Sequence, residues 1–491
     1  MVARPIPSTT APSTPRTTER LARVLSALAT TGLAVLIVAT PWPLGAVRPA
    51  AVWLVVLTSW ILLAVRGLAL LVGGPVRVAL PPSAGAAGLL LVTVLGWSFV
   101  QALAVVPGDW AHPIWAALAD GSAPASAALS LDPDRTIEAA ARLSAWIAIG
   151  ALAYLAARSL RRATRLLWIF LGTALLQALL GLAREVARID ELFGVPLGLG
   201  RASGSFVNPN HFAAYVNIAW VAATVLLLDA VRSRAEAPSA RVAFARAARL
   251  LLERHAALTA VWAVLAMASL ASGSRGGFLS LVLAIAVVAL IRLGRGKLLA
   301  VLLGTLVGLG GILLLTAGIP TLDRLDALFP ASELEPGAGG RIAVAQLALA
   351  AWLDRPWLGH GLGTWPALFH TVRDERFPTV IFDYVHNSWV ELLVELGAPA
   401  FGALVLALLL LASLCMRAAR HASDPLPAIG FGAAVLSASH SFVDFAAQIP
   451  AVATALALVL GLAAGRGAEL DRRSGGAVAP GARTVEHDSP G

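Results

Sequence analysis

The sequence predicts an all-α polytopic membrane protein of about 12 transmembrane helices, and three observations carry that prediction. Apolar residues make up 58% of the chain and charged residues 13%, against about 25% charged in soluble domains. Apolar stretches that reach or approach the roughly 20 residues needed to cross a bilayer recur along the chain. The net charge of +9 is carried almost wholly by arginine and parcelled into short loops between those stretches. That is the topology signal of a membrane protein, not the patch of a nucleic-acid binder, so membrane lipid is expected as a partner and nucleic acid is not. Cys415 is the single cysteine, which excludes an internal disulfide and a cysteine-based metal cluster; it reads as a packing residue.

The elements follow in order. Residues 1–20 are rich in Pro, Ser, Thr and Ala and read as a disordered tail. The apolar stretch after Arg20 and Arg23 has no convincing cleavage site and reads as the first span, not a signal peptide. The spans predicted from apolar runs are 24–42, 50–70, 84–105, 139–158, 163–183, 210–230, 256–273, 277–293, 298–318, 389–414, 425–444 and 449–465. Residues 466–491 are polar, Gly-rich and read as a second disordered tail. Arginines gather before the first span and then in every second loop: Arg66 and Arg77, Arg158 to Arg165, Arg232 to Arg254, Arg292 and Arg295, Arg417 and Arg420, and Arg466 to Arg473 after the last span. Both termini are therefore expected in the cytoplasm, and the intervening loops outside it.

The outer segments differ in kind. Residues 106–138 are long and acidic in places. Residues 184–209 hold Arg201 and the run Gly204-Ser205-Phe206-Val207-Asn208-Pro209-Asn210. Residues 274–277 are the tight turn Ser274-Arg275-Gly276-Gly277. Residues 319–388 exceed what a connection requires, and long loops of this kind are usually functional. Within that loop, Ile342, Ala345, Leu349 and Trp352-Leu353 recur at helical spacing after Arg341. Pro356 ends the helix and Gly359, Gly361 and Gly363 make a flexible or tightly turned exit.

The candidate site residues all lie on this outer side. His386 stands directly before an apolar helix, beside Tyr384. A lone histidine is commonly a solvated loop residue, but a titratable imidazole at a membrane surface is a candidate for chemistry. Ser388 and Glu391 have capping-box spacing, which would fix the start of that helix; capping is the reading favoured for Glu391. Glu395 lies one turn deeper and is expected to need an arginine or polar partner. Arg201, Arg275 and Arg341 run against the topology bias. Arg275 could be an interfacial arginine that snorkels to headgroups; several arginines converging outside suggest a diphosphate or anionic headgroup, which guanidinium binds bidentately. His440 and Asp444 are spaced to share a helix face. They could simply bond each other; Asp444 is also a candidate partner of an arginine or of His386.

The stretch Tyr384-Val385-His386-Asn387-Ser388 through Gly397 resembles the signature of the bacterial O-antigen ligase and polysaccharide (exopolysaccharide) polymerase family. In that signature a His-Asn pair is followed after a fixed gap by glycine, here Gly397. Ala400 takes the position where the family has a second small or hydroxylated residue. The run ending in Asn208-Pro209-Asn210, the Ser-Arg-Gly-Gly turn, the Arg341 block and His440-Ser441-Phe442-Val443-Asp444-Phe445 also resemble family blocks. Residues 201–465, with the loop 319–388, are thus the ligase/polymerase-like region, and 21–200 are the preceding transmembrane helices.

The resemblance implies a GT-C-like bundle in the bacterial inner membrane with one large extracytoplasmic loop and a site facing the periplasm. It implies a metal-independent, inverting glycosyltransferase without cofactor. The donor would be a glycan on undecaprenyl diphosphate and the acceptor a glycan or lipid A core. His386 would be the catalytic base, and Arg201, Asn208, Asn210, Arg275, Arg341 and Asp444 would bind substrate, with Ser388, Glu391 and Gly397 structural. The His-Ser-Phe-Val-Asp-Phe block tilts the reading toward polymerase over ligase. A protein O-oligosaccharyltransferase would share the donor chemistry. A polysaccharide transporter or flippase is the alternative from another class, and the absence of internal repeats in the sequence argues against it.

Overall fold

In the computed structural model the described residues are 17–73, 80–104, 106–107, 109–118, 126–197, 200–232, 240–293, 336–377, 381–420 and 424–476. The predicted span 298–318, residues 319–335 of the predicted outer loop and residues 1–16 and 477–491 of the two tails lie outside them; residues 17–20 and 466–476, expected as disordered tail, are instead helical, continuing the helices Thr17–Ala39 and Pro450–Gly476, the latter held by the buried Arg466–Asp424 pair. The described chain is helical: α1 Thr17–Ala39, α2 Pro49–Val72, α3 Pro82–Ala102, α4 Ile114–Leu118, α5 Pro133–Ala156, α6 Leu160–Ala187, α7 Pro209–Arg232, α8 Ala240–Arg249, α9 Ala256–Ala271, α10 Arg275–Leu293, α11 Pro336–Asp354, α12 Trp365–Val372, α13 Ser388–Leu396, α14 Ala398–Ala419, α15 Leu426–His440 and α16 Pro450–Gly476. Two antiparallel two-residue ladders, Val106–Pro107 with Ser126–Ala127 and Glu191–Leu192 with Val195–Pro196, are its strands.

Among the described residues nine helices are long and apolar enough to cross a membrane: α1, α2, α3, α5, α6, α7, α10, α14 and α16. The segment leading into α9 meets it at 94°, so the basic residues of α8 lie across the direction of the bundle. Burial separates centre from rim. In α7 and α16, 72% and 83% of the apolar window is buried, against 22% in α1, α3 and α14. Small residues let α16 close on α5: a Cβ at Gly461 would fall 2.3 Å from the Gly150 carbonyl oxygen, and one at Gly465 would fall 2.5 Å from that of Tyr154.

The two ends of the bundle differ in chemistry. At one end Arg292 of α10 pairs with Asp229 of α7 and donates to the Ala419 carbonyl of α14. Beside it Arg466 of α16 pairs with Asp424 at 2.6 Å and reaches the Ala157 carbonyl after α5. Burying these charges is tolerable because each is paired. The opposite end carries a second layer built from α11, α12, α13 and the chain between α3 and α5. Its core is Val344, Leu347, Ala348, Ala351, Trp365, Phe369, Val385 and Val394.

Three further sequence readings are corrected here. Residues 389–414 are not one helix: α13 ends at Leu396, and Gly397, with φ 77° and ψ 160°, turns the chain into α14. A Cβ at Gly397 would lie 2.4 Å from the Trp357 carbonyl oxygen, and one at Gly359 would lie 2.3 Å from that of Glu395. Two backbones cross here that only glycines allow to approach. The helix over 342–353 is present as α11, but it buries Val344, Leu347, Ala348 and Ala351, while Ile342, Leu349 and Leu353 are exposed. The third correction concerns the cap of α13. Asn387, not a Ser388–Glu391 box, is the N-cap, its side chain accepting from the N–H groups of Trp389 and Val390 at 3.2 Å each.

Candidate active site

The site is assembled at the end opposite the buried Arg292 and Arg466 pairs. It begins with the run 201–211, which has little regular structure and is held by side chains. Buried Arg184 donates to Ser203 Oγ at 2.8 Å and to the Gly204 carbonyl at 3.0 Å. Gln177 Oε1 accepts from the Ser205 amide at 3.0 Å. Asn208 Oδ1 accepts from the Asn210 amide at 2.8 Å and so shapes the start of α7.

Those anchors fix Arg201. Its Nε donates to the Ser272 carbonyl at 2.7 Å and one terminal nitrogen donates to Asn210 Oδ1 at 2.8 Å. The first bond ties it to the turn between α9 and α10, where Arg275 is the exposed first residue of α10. A Cβ at Gly276 would fall 2.6 Å from Val443 Cγ2 and 3.5 Å from the His440 ring. The Arg275 turn is therefore seated directly on the segment 440–444.

Asp444 is the hub. Buried to 2% exposure, it accepts from Asn210 Nδ2 at 3.0 Å and from the Phe445 amide at 2.8 Å. Oδ1 lies 3.5 Å from His211 Nε2, a charge contact longer than an ordinary hydrogen bond. Its main-chain carbonyl accepts from Ser388 Oγ at 3.1 Å, and Arg341 reaches the neighbouring Val443 carbonyl at 3.4 Å. Burial works to raise this carboxyl, but His211, His440 and Arg341 outweigh it and hold it at about 2. Asp444 is thus ionised. Its closest basic neighbour is His211, and its bonds to Asn210 and Ser388 join α7 to α13.

His386 sits at the centre of this group. Its φ of 57° is unusual for a side-chain-bearing residue, and its neighbours enforce it. Glu391 Oε2 accepts the Val385 amide at 2.8 Å, and the Ser388 amide donates to the Ser441 carbonyl at 2.9 Å. The imidazole is half-buried, edge-on to Phe445 at 5.1 Å and to Phe382 at 6.1 Å, and its buried Nδ1 makes no hydrogen bond to protein. Phe445 is itself stacked flat on Tyr384 at 3.7 Å and edge-on to His211 at 4.7 Å. Burial and Arg341 push the His386 imidazole below its ordinary value, with Asp444 pulling the other way and His211 adding to the depression. A neutral ring results at neutral pH, which is the form that accepts a proton.

Two glutamates on one face of α13 hold the scaffold. Glu391 bridges the Val385 amide and Gln448 Nε2 at 3.0 Å. Glu395 accepts from the Trp365 amide at 3.0 Å. The polar partner expected for Glu395 is thus the backbone before α12, while the Arg142 charge acts on both carboxyls from a distance.

The structure therefore gathers Arg201, Asn210, Arg341, His386 and Asp444, together with the Arg275 turn, at one place, with Asn208, Ser388 and Glu391 as supports; Gly397 lies at the far end of α13, against Trp357 and Gly359. Sequence reasoning passed over His211. Its signal was present: a histidine directly after Asn208-Pro209-Asn210, at the first turn of a span.

A protein-family model described as O-antigen ligase matches residues 259–407. That segment of the chain is similar to the O-antigen ligase domain. The match supports the O-antigen ligase and polymerase family, and with it a membrane glycosyltransferase of the polysaccharide ligase or polymerase type. The matched segment holds Arg275, Arg341, His386 and Gly397. Arg201, Asn210, His211 and Asp444 lie outside it, and of these geometry alone adds His211 to the site. No curated protein matches the chain.

Proposed function

We propose that this chain transfers a glycan from undecaprenyl diphosphate to an acceptor hydroxyl, as a polysaccharide polymerase or O-antigen ligase, with His386 as general base. The acceptor oxygen attacks the anomeric carbon in line and inverts it. The bond from that carbon to the diphosphate breaks as the new glycosidic bond forms. His386 takes the hydroxyl proton. Arg201, Arg275 and Arg341 neutralise the diphosphate as it gathers charge. The acceptor is a growing lipid-linked chain for a polymerase and the lipid A core for a ligase.

The observation that carries this reading is the convergence of three arginines and a neutral, half-buried imidazole on the Asp444 turn, from stretches separated by up to about half the chain. A transporter has no need of such a constellation at one end of the bundle, whereas transfer from a diphosphate donor requires a base and cations within reach of one another.

The test is glycan transfer from purified lipid-linked donor, with protein level checked by immunoblot. His386→Ala is expected to insert normally and to lose about 10²- to 10⁴-fold in rate, the usual contribution of a general base. His386→Gln is expected to fail equally, because an amide can hydrogen-bond the acceptor but cannot take its proton. Normal transfer by the Gln variant would reduce His386 to an orienting group.

A further inference from the structure

The opposite end of the molecule carries a group of charges that the transfer reaction does not use. Arg66 of α2 is only 9% exposed, and one of its terminal nitrogens donates to Ser26 Oγ of α1 at 2.8 Å. Arg162 stands in the first turn of α6, and its buried Nε makes no hydrogen bond to protein. Both line one narrow cavity with Thr30 and Leu33 of α1 and Leu152 and Ala156 of α5. The charges of Arg158 and Arg162 act on Arg66, and that of Arg158 acts on Arg162. Among the described residues no carboxylate forms an ion pair with Arg66 or Arg162.

The contrast with the same end of the bundle is informative. Buried Arg292 and Arg466 each have an aspartate; buried Arg66 and half-exposed Arg162, whose Nε is buried, do not. A buried cation without a counter-charge is costly. The start of α6 adds to the imbalance: Ser159 at its N-cap makes no side-chain capping bond, and a helix N-terminus favours anions and repels cations. The carboxyl end of α5 offsets part of this, but a helix end carries only about half a unit charge. What so many charges of one sign select is an anion.

We propose that Arg66 and Arg162 form a binding site for a phosphate group, that of a membrane lipid headgroup or free inorganic phosphate. Guanidinium groups match phosphate oxygens in pairs. Depth fits a headgroup: Arg66 lies six residues before the end of α2 at Val72, ~9 Å along the axis. The apolar wall of Leu33, Leu152 and Ala156 continues from the arginines into the bundle.

The full-length protein is compared with Arg66→Gln, Arg162→Gln and, as a control, Arg420→Gln, an exposed arginine at the same end. One arm measures by native mass spectrometry the phosphatidylglycerol retained after release from phosphatidylglycerol–phosphatidylcholine nanodiscs. The second arm measures Tm in detergent with phosphate or chloride at matched ionic strength. The wild type and the control are expected to retain phosphatidylglycerol, and the two site variants to lose it by roughly tenfold, the worth of a charge-assisted hydrogen bond. A phosphate-specific rise in Tm in the wild type alone, with unchanged lipid retention, would assign the site to free phosphate. Site variants indistinguishable from the wild type in both arms would overturn the proposal. Should Arg66→Gln fail to fold, Arg162→Gln decides alone, since that residue is half-exposed at a helix start.

Discussion

His386 is held where it is by bonds that it does not make itself. The Val385 amide goes to Glu391 and the Ser388 amide to Ser441, so the residue between them is fixed in a left-handed conformation with its ring against Phe445. Holding a residue in that region costs on the order of 1–3 kcal/mol and persists only where the surroundings enforce it. The return is a ring placed among Arg341, Asp444 and His211, each of which acts on its proton affinity. Under the proposed mechanism the base works unprotonated, so the acidic limb of the pH–rate profile follows the His386 pKa in the enzyme. Since burial and Arg341 depress that pKa, the limb is expected below the ordinary histidine value of 6.5. Arg341→Gln removes one of the depressing charges. Its acidic limb is therefore expected to move toward higher pH, together with any loss of donor affinity. A profile measured at saturating donor separates the two effects, and an unmoved limb would show that Arg341 does not act on the base.

At the scale of elements, α13 clasps both the chain that enters it and the loop that crosses its end. Glu391 takes the Val385 amide and Gln448, Glu395 takes the Trp365 amide, and Gly397 permits the crossing with Gly359. Burial, and for Glu391 the like charge of Glu395, push these carboxyls up from 4.5, to about 8 for Glu391 and about 7 for Glu395. A carboxyl raised in the folded state contributes its stability while protonated and loses it as pH rises through the raised value. Thermal stability of the purified protein is therefore expected to fall from pH 5 toward about 8, the raised Glu391 value. Glu395→Gln should flatten that slope; a slope unchanged by the substitution would remove α13 as its source. The sequence made parts of this legible and hid others. The long spans were readable because a membrane demands some twenty apolar residues in a row. The break at Gly397 was missed because apolar residues flank it on both sides, although Gly397 followed by Pro399 is a helix-stop signal. The buried face of α11 was misread because apolar residues occur all round that helix, and periodicity cannot choose between two apolar faces. Asn387 was passed over as the cap because the Ser388–Glu391 spacing fits a capping box equally well. The meeting of Arg201, Arg275, Arg341, His386 and Asp444 could not be read from spacing at all, since it depends on how distant helices pack.

For the whole molecule, the segregation of charge predicts the orientation in the membrane. Arg158, Arg162, Arg292, Arg417, Arg420 and Arg466 belong to helix ends at one side, while the His386 site and the α11–α13 layer occupy the other. The bias of arginine toward cytoplasmic loops predicts the orientation: the arginine-rich side faces the cytoplasm and His386 faces away from it. Arg201, Arg275 and Arg341 stand against that bias, and each is tied into or seated beside the Asp444 turn. Their presence on the disfavoured side is what a substrate diphosphate would require. Fusions of a reporter active only in the cytoplasm test the arrangement. A fusion after Glu253, next to α9 on the basic side, is expected to be active. One after Glu375, between α12 and α13, is expected to be silent. A periplasm-dependent reporter at the same two positions should give the inverse pair. If the two positions exchange behaviour, His386 faces the cytoplasm, and a donor presented at the outer leaflet never meets the base. The glycosyl-transfer reading would then have to draw on a donor that has not yet been flipped, and the phosphate site at Arg66 would lie in the outer leaflet instead of the inner one.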